Sequence, residues 1–411
     1  MVTTTPELPW IDTEPIDAAT WSTIRRRMMF EHFKWDPQIE DVSALGRRPL
    51  VLRRSVWQQL TRWAEAMYAE ALAAEAEIAE RPELIRRLGL PRPVRRLMRG
   101  GRSTPGVARV MRFDFHYAAE GWRVSEVNSD VPGGFIEAAG YCELIAQHVD
   151  GAGLVGDPSR AWAEALARGI GGGGRVTLAY ATSYADDAQV MLHVERAMRA
   201  AGLAVSHAAP DTVAWGEADA VARFFPGEWI PNLPRHAKRR WFFRDCPVPM
   251  SNPGSALLTQ SKRWPLTWDN LETALPVWRE RVPETRPAEP ALIRSDEWVF
   301  KPALGRVGED VGVPGATKAG DWRAIAKAVR RAPGRWAMQR RFDAVAWGDP
   351  RAAQYPCVGV YVIDGVAAGA YGRSSHRALI DRFAQDVAVL VADGPSTPRT
   401  ASDFPENAAC A

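Results

Sequence analysis

The spacing of apolar residues changes period several times along the chain, and each change marks an element. From Ser55 to Glu80 apolar positions recur at helical spacing among Ala, Glu and Leu, which predicts a long helix ending near Pro82. A basic stretch with Pro and Gly, residues 91–105, reads as a loop. VMRFDFHY (Val110–Tyr117) and WRVSEVN (Trp122–Asn128) then alternate around a turn ending in Gly121, the pattern of a β-hairpin. A helix is expected from Ile136 to about His148, and RVTLAYAT, VMLHVERAMRAAG and AVSHAAP predict one β-α-β unit. Further on come a helix from Trp268 to Arg279, a Pro-rich connector, strand EWVFKP, loop GRVGEDVG, a helix from Asp321 to Arg331, and strands RWAMQRRF, CVGVYVID and VAAGAYGR. This order predicts an α/β (α+β) protein of several lobes, with a mainly helical region at 1–105, the hairpin and β-α-β lobe at 106–255, and the closing strands at 256–411.

Composition narrows the classes. The 411 residues, 46% hydrophobic, suffice for a sizeable core, and 52 basic against 49 acidic residues leave a net charge of only +3. That balance lacks the single-sign excess of a general nucleic-acid binder, and the clusters Arg25-Arg26-Arg27 and Lys238-Arg239-Arg240 read as solvated faces. Cys142, Cys246, Cys357 and Cys410 show no CxxC spacing, which argues against a zinc site or a disulfide framework and fits a reducing cytoplasm. The start MVTTTPELPWIDTEP lacks the basic and apolar regions of a signal peptide, and no run reaches membrane-spanning length, so no membrane partner is expected. The tryptophans, among them Trp10, Trp21, Trp35, Trp57 and Trp63, are irregularly spaced and read as packing residues. Gly171–Gly174 precedes a strand instead of following one, so it reads as a linker and not as a phosphate loop.

Chemistry concentrates in the hairpin. Alternation puts Arg112, Asp114 and His116 on one face and Phe113 and Phe115 on the other. A three-residue loop Ala119-Glu120-Gly121, with Gly in the left-handed position, pairs Asp114 with Glu126 and Arg112 with Asn128. Opposed carboxylates with Cβ atoms about 5 Å apart repel unless neutralised. Two readings follow: a magnesium site, with Arg112 placed to stabilise a transferred phosphoryl group, or a surface hairpin in which Arg112 pairs with Asp114 or Glu126. His116 reads as a hydrogen-bonded neighbour, not a ligand. Downstream, Lys301 ends a strand that leads into a loop with Gly305, Arg306 and Gly308, suitable equipment for phosphates.

Together the segments resemble the synthetase domain of glutathionylspermidine synthase and its relatives, an ATP-grasp family. The family's pattern has an Arg-x-Asp strand, Glu-x-Asn-x-Asp-x-Pro, a lysine near Ser-Asn-Lys, Lys-Pro before a glycine loop, a glutamine-bearing hinge strand, and a late Gly-x-x-x-Arg segment. This chain supplies in that order Arg112-Phe113-Asp114, Glu126-Val127-Asn128-Ser129-Asp130-Val131-Pro132, Ser261-Lys262, Lys301-Pro302, Gln339, and CVGVYVIDGVAAGAYGRSS with Arg373, over roughly residues 110–391.

The resemblance implies an ATP-grasp-type fold whose metal-binding hairpin precedes the nucleotide lobe. It further implies that Asp114, Glu126 and Asn128 hold magnesium, two ions of it. Lys262 and Lys301 would contact ATP phosphates with the loop of Gly305, Arg306 and Gly308, Gln339 would lie near adenine, and Arg112 and Arg373 would stabilise transferred phosphate or acyl-phosphate. The implied activity is ATP-dependent ligation of a small-molecule or peptide carboxylate to an amine. A small-molecule kinase and a non-catalytic nucleotide-binding homologue are the alternatives. Three departures stand out: Val307 replaces the usual Glu of the glycine loop, Ser261-Lys262 lacks its asparagine in register, and no amidase domain accompanies the synthetase segments, so the chain is not expected to hydrolyse its product.

Overall fold

A computed structural model describes residues 7–100, 102–305, 308, 310–348 and 350–393. The long helix forms as expected, spanning Arg54–Ala79 and burying the stripe Leu60, Ala64, Met67, Tyr68, Ala71, Ala74 and Ile78. Its apolar stripe joins one core cluster with Phe113, Phe115, Val358 and Val360 of the central sheet. Within that stripe Glu75 is also buried, and it is matched by the Arg109 guanidinium at 3.1 Å and by the hydroxyls of Ser255 (2.8 Å) and Thr259 (3.1 Å).

The central sheet is five-stranded and antiparallel, in the order Gln385–Val387, Val366–Ser375, Tyr355–Ile363, Val110–Ala118, Gly121–Asn128. It draws strands from both sides of the expected boundary at residue 255, and so sets the hairpin beside the late Arg373 strand. The β-α-β unit is present as Arg175–Ala179, the helix Ala185–Ala200 and Ala204–Ala208, and it extends to a four-stranded parallel sheet with Ala220–Arg223 and Met250–Ser251. Trp298–Pro302, Trp336–Arg340 and Thr285–Pro287 make a three-stranded antiparallel sheet covered by the helix Ala319–Arg331. A fourth sheet brings chain ends together: Leu50–Arg53 pairs in parallel with Val389–Ala392.

The hairpin differs from expectation at its turn. Ala118 pairs with Gly121, so the loop is the two residues Ala119 and Glu120, with Gly121 at φ +99°. The expected pairs Arg112 with Asn128 and Asp114 with Glu126 nevertheless form, because a bulge at Ser125 inserts one residue between Phe115/Val124 and Asp114/Glu126. Two further expectations are corrected. The stretch 268–279 is not one helix: the 3-10 turn Trp264–Asn270 ends, the Glu77 carboxylate accepts from the backbone N–H groups of Glu272 and Thr273, and Pro276 opens a new helix to Arg281. The basic loop of residues 91–105 contains a helix, Arg92–Leu97, opened by prolines at its N-terminal end.

The tryptophans mostly pack, as expected. Trp264, Trp268 and Trp278 meet edge to face with centroids 4.8–6.1 Å apart, and Trp278 lies 5.8 Å from Phe113 beneath the hairpin, whereas Trp35 is exposed. Cys142, Cys246 and Cys357 are buried and free, and Cys410 lies outside the described residues. Among the described residues no helix is long and apolar enough to cross a membrane.

Two predictions concern stability. Trp278 also donates its indole N–H to the Met67 carbonyl at 2.8 Å, so Trp278→Ala should cost about 3–5 kcal/mol in denaturant unfolding. His32 and His193, 5.9 Å apart between the first helix and the β-α-β lobe, are pushed down to about 4 and about 3, in each case chiefly by burial and then by the Arg196 charge. An unfolded chain, with imidazoles near 6.5, binds more protons between that value and about 4, so stability should fall as pH drops through this window. Thermal melting across pH 7 to 4 measures it, and His193→Leu, which takes up no proton, should lose less over the window.

Candidate active site

A cavity of about 570 Å³ opens over the polar face of the hairpin. Of the residues singled out from sequence, Arg112, Asp114, Glu126, Asn128, Lys301, Gly305, Gly308, Gln339 and Arg373 all line it. Lys262 stands immediately beside them, bonded to Glu126 and to the Gly305 carbonyl, both at 3.1 Å. Arg306 and Val307 lie outside the described residues.

The strand Val110–Ala118 buries Phe113 and Phe115 and turns Arg112 and Asp114 to the cavity. Arg112 forks onto Asp114, Nε to Oδ1 at 2.8 Å and a terminal nitrogen to Oδ2 at 3.0 Å, and its other terminal nitrogen donates to the Gly133 carbonyl at 2.6 Å. The Asn128 amide donates to Asp114 Oδ2 at 2.9 Å. Arg112 therefore does pair with Asp114, but along one strand and inside the cavity, not across an exposed ladder. A Cβ at Gly359, on the neighbouring strand, would meet Arg112 Cδ at 2.7 Å, so the absence of a side chain there makes room for the guanidinium. The same guanidinium lies 4.8 Å from the centroid of the Tyr371 ring.

The bulge at Ser125 supplies the second half. Its carbonyl accepts from Lys301 Nζ at 2.8 Å, and Lys301 also donates to Gln339 Oε1 at 2.7 Å, joining the hairpin to the three-stranded sheet. Burial pushes the Lys301 ammonium down to about 8; Glu126 opposes the shift and Lys262 adds to it. Burial alone would raise Glu126, but Lys262 and Lys301 hold it below its ordinary value, so it is ionised. His116 is pushed down to about 4 by burial and then by Lys301, and contacts the Ser125 hydroxyl at 3.1 Å. It is a hydrogen-bonded neighbour of the cavity floor through Ser125. Gly308, at φ +67°, leaves only 2.2 Å between a Cβ and the Ile380 carbonyl, so the glycine loop packs there only without a side chain.

Asp114, Glu126 and Asn128 are an all-oxygen set of two carboxylates and an amide on facing strands, which fits a hard cation that takes its remaining ligands from water and phosphate. Among the described residues no group of three or more His, Cys, Asp or Glu gathers for a metal, so a cation at this set would need the amide oxygen and an incoming oxygen ligand as well.

The cavity residues that sequence reasoning missed include Tyr371, Lys34 and Asp386. Tyr371 is legible in retrospect, two residues before Arg373 and so on the same strand face. Lys34 and Asp386 carried no local signal, because what brings them together is the pairing of the chain's two ends. The wall also carries Asp36, Asp186, Asp187 and Glu228 beside the exposed rings of Tyr184 and Trp229.

Comparison with known proteins adds the following. No curated protein matches the sequence. A glutathione synthetase-like effector from Globodera pallida shares the fold with a TM-score of 0.55 at 11% identity, over 84% of this chain and 89% of that one. D-cycloserine synthetase (TM-score 0.34, 16% identity, 56% of this chain and 76% of that one) and a protein provisionally described as γ-glutamylcysteine synthetase from Methylobacillus flagellatus (0.39, 12%, 75% and 88%) overlap too loosely to bear on the fold. A family model described as glutathionylspermidine synthase preATP-grasp matches residues 49–392, and on that extent the chain belongs to the glutathionylspermidine synthase family.

Proposed function

We propose that the protein is an ATP-dependent ligase that joins a carboxylate to an amine through an acyl-phosphate. The observation that carries this reading is the convergence of Arg112, Asp114, Glu126 and Asn128 with Lys301, Gln339 and Arg373 on one cavity, contributed by strands of two different sheets. Family membership supports the same chemistry.

In this reading Lys301 and Lys262 hold the ATP phosphates, with Gly305 and Gly308 allowing close approach of the loop and Gln339 bordering the base. Asp114, Glu126 and Asn128 would hold magnesium, which would supply positive charge against the phosphate oxygens. A carboxylate oxygen of the substrate attacks the γ-phosphorus and ADP leaves. The bound amine gives up a proton to solvent, its neutral nitrogen attacks the acyl carbon, and a second proton passes to solvent as inorganic phosphate departs and the amide forms. Arg112 and Arg373 stabilise the charge on the transferred phosphoryl group and on the acyl-phosphate, so catalysis is positioning and electrostatics, with no protein nucleophile. The acidic wall of Asp36, Asp186, Asp187 and Glu228 favours an amine that arrives as a cation.

A screen of carboxylate and amine pairs with ATP and magnesium, read by mass, tests the reading. ADP and phosphate should appear in equal amounts only when an amine is present. A stable phosphorylated product released over many turnovers without amine would sink the ligase in favour of a kinase. With an accepted pair, Arg112→Met and Asp114→Ala should each lower kcat/KM by about 10²-fold or more with the fold intact by circular dichroism. With burial pushing the Lys301 ammonium down to about 8, ATP should bind more weakly as pH rises from 7.5 to 9.5, and Lys301→Arg should flatten that dependence in calorimetric titrations.

A further inference from the structure

Lys34 lies before the family-matched region, on a short strap after the first helix, yet its ammonium lines the catalytic cavity. The strap is firmly built. Phe33 adopts φ +62°, the Lys34 N–H donates to the Met28 carbonyl at 2.9 Å, and Gln189 of the β-α-β lobe accepts from the Trp35 N–H and donates to Asp36, both at 2.8 Å. Lys34 Nζ then lies 2.7 Å from Glu137 Oε1, 3.3 Å from Asp36 Oδ1 and 3.7 Å from Asp386 Oδ2, and its side chain is 7% exposed.

Asp386 connects this ammonium to the two arginines. It accepts the Tyr371 hydroxyl at 2.5 Å and lies 3.5 Å from Arg373 Nε, while the Tyr371 ring lies under Arg112. The backbone of Asp386 is fixed independently, by pairing with Arg373 and by hydrogen bonds to Ala44 and Gly46. We propose that Lys34 is a positioning residue for Arg373 and Arg112, holding the Asp386 carboxylate against Tyr371 and Arg373 so that both guanidiniums keep their places in the cavity.

The need for a cation there is electrostatic. Glu137 and Asp386 are buried carboxylates that share one partner, and without it their repulsion would favour protonating one of them. Burial and then Glu137 already push Asp386 up to about 6, with Lys34 and Arg373 opposing; Tyr371 and Tyr141 also face it. A protonated Asp386 no longer attracts Arg373. The Lys34 ammonium itself is held well above its ordinary value by Glu137, Asp386 and Asp36 against the effect of burial, so it acts as a fixed charge and not as a proton donor.

This role rests on the ligase reading, and the experiment separates the two. The full chain is assayed with magnesium-ATP and a carboxylate–amine pair that the wild type condenses. Lys34→Met should lower kcat about tenfold or more, with the KM for ATP within about twofold, because the phosphates are held elsewhere. Lys34→Arg, which keeps the charge, should retain more of kcat than Lys34→Met. Asp386→Asn should lose a similar factor, and the double variant Lys34→Met/Asp386→Asn should be no slower than Asp386→Asn alone. The double variant removes one charge of each sign, so it reports even where Lys34→Met does not fold. Wild-type kcat in Lys34→Met, no retention in Lys34→Arg, or additive losses in the double variant would each overturn the role. A wild type that condenses no pair sinks the ligase reading itself, and that failure shows before any variant is made.

Discussion

The site depends on one extra residue in a strand. On a strictly alternating strand Glu126 would share the face of Trp122 and Val124, and the hairpin would turn a carboxylate toward its own core. The bulge at Ser125 reverses that parity, so Trp122, Val124 and Val127 are all buried while Glu126 and Asn128 oppose Asp114 and Arg112. It also leaves the Ser125 carbonyl outside the ladder, where it accepts the Lys301 ammonium. A single insertion thus faces the carboxylates toward the cavity and ties the hairpin to the three-stranded sheet that carries Lys301 and Gln339.

Charge balance follows from that arrangement. Burying a carboxylate is costly unless a cation accompanies it, and at each acidic position on the cavity floor one does: Arg112 on Asp114, Lys262 on Glu126, Lys34 and Arg373 on Asp386. Such pairs contribute little net stability, since desolvation offsets most of the attraction. Their effect is geometric: each cation is held where its partner is, and the partners are fixed by backbone pairing within one sheet. The site is therefore laid out by strand register before any ligand contributes.

This explains what the sequence disclosed. The facing of Asp114 with Glu126 and of Arg112 with Asn128 was legible, though by way of the wrong turn, since a two-residue loop plus a bulge gives the same pairing there as a three-residue loop. The bulge had a signal of its own, the three-residue step from Val124 to Val127 in a strand otherwise of period two. The helix expected at 268–279 failed because Pro276 starts a helix as readily as it interrupts one, and because a side chain from the long helix, Glu77, satisfies the intervening backbone. Lys34 and Asp386 were out of reach for a different reason. Their contact joins opposite ends of the chain through a sheet whose pairing no local pattern encodes.

The same logic makes Arg112 the least replaceable position on the floor. Its guanidinium is bounded by Asp114 in its own strand, by the Gly133 carbonyl after the hairpin, and by the Tyr371 ring two strands away. Tyr371 can approach only because Gly134 has no side chain, since a Cβ there would meet the ring at 2.6 Å, and Gly359 clears the Arg112 stem on the other side. A lysine would keep the charge but lose the fork onto Asp114 and the flat contact with the ring. Asp114, the Gly133 carbonyl and the Tyr371 ring thus hold the Arg112 guanidinium by shape as well as charge, and the proposed role, meeting a planar, three-oxygen phosphoryl centre in one orientation, would draw on that fixed placement.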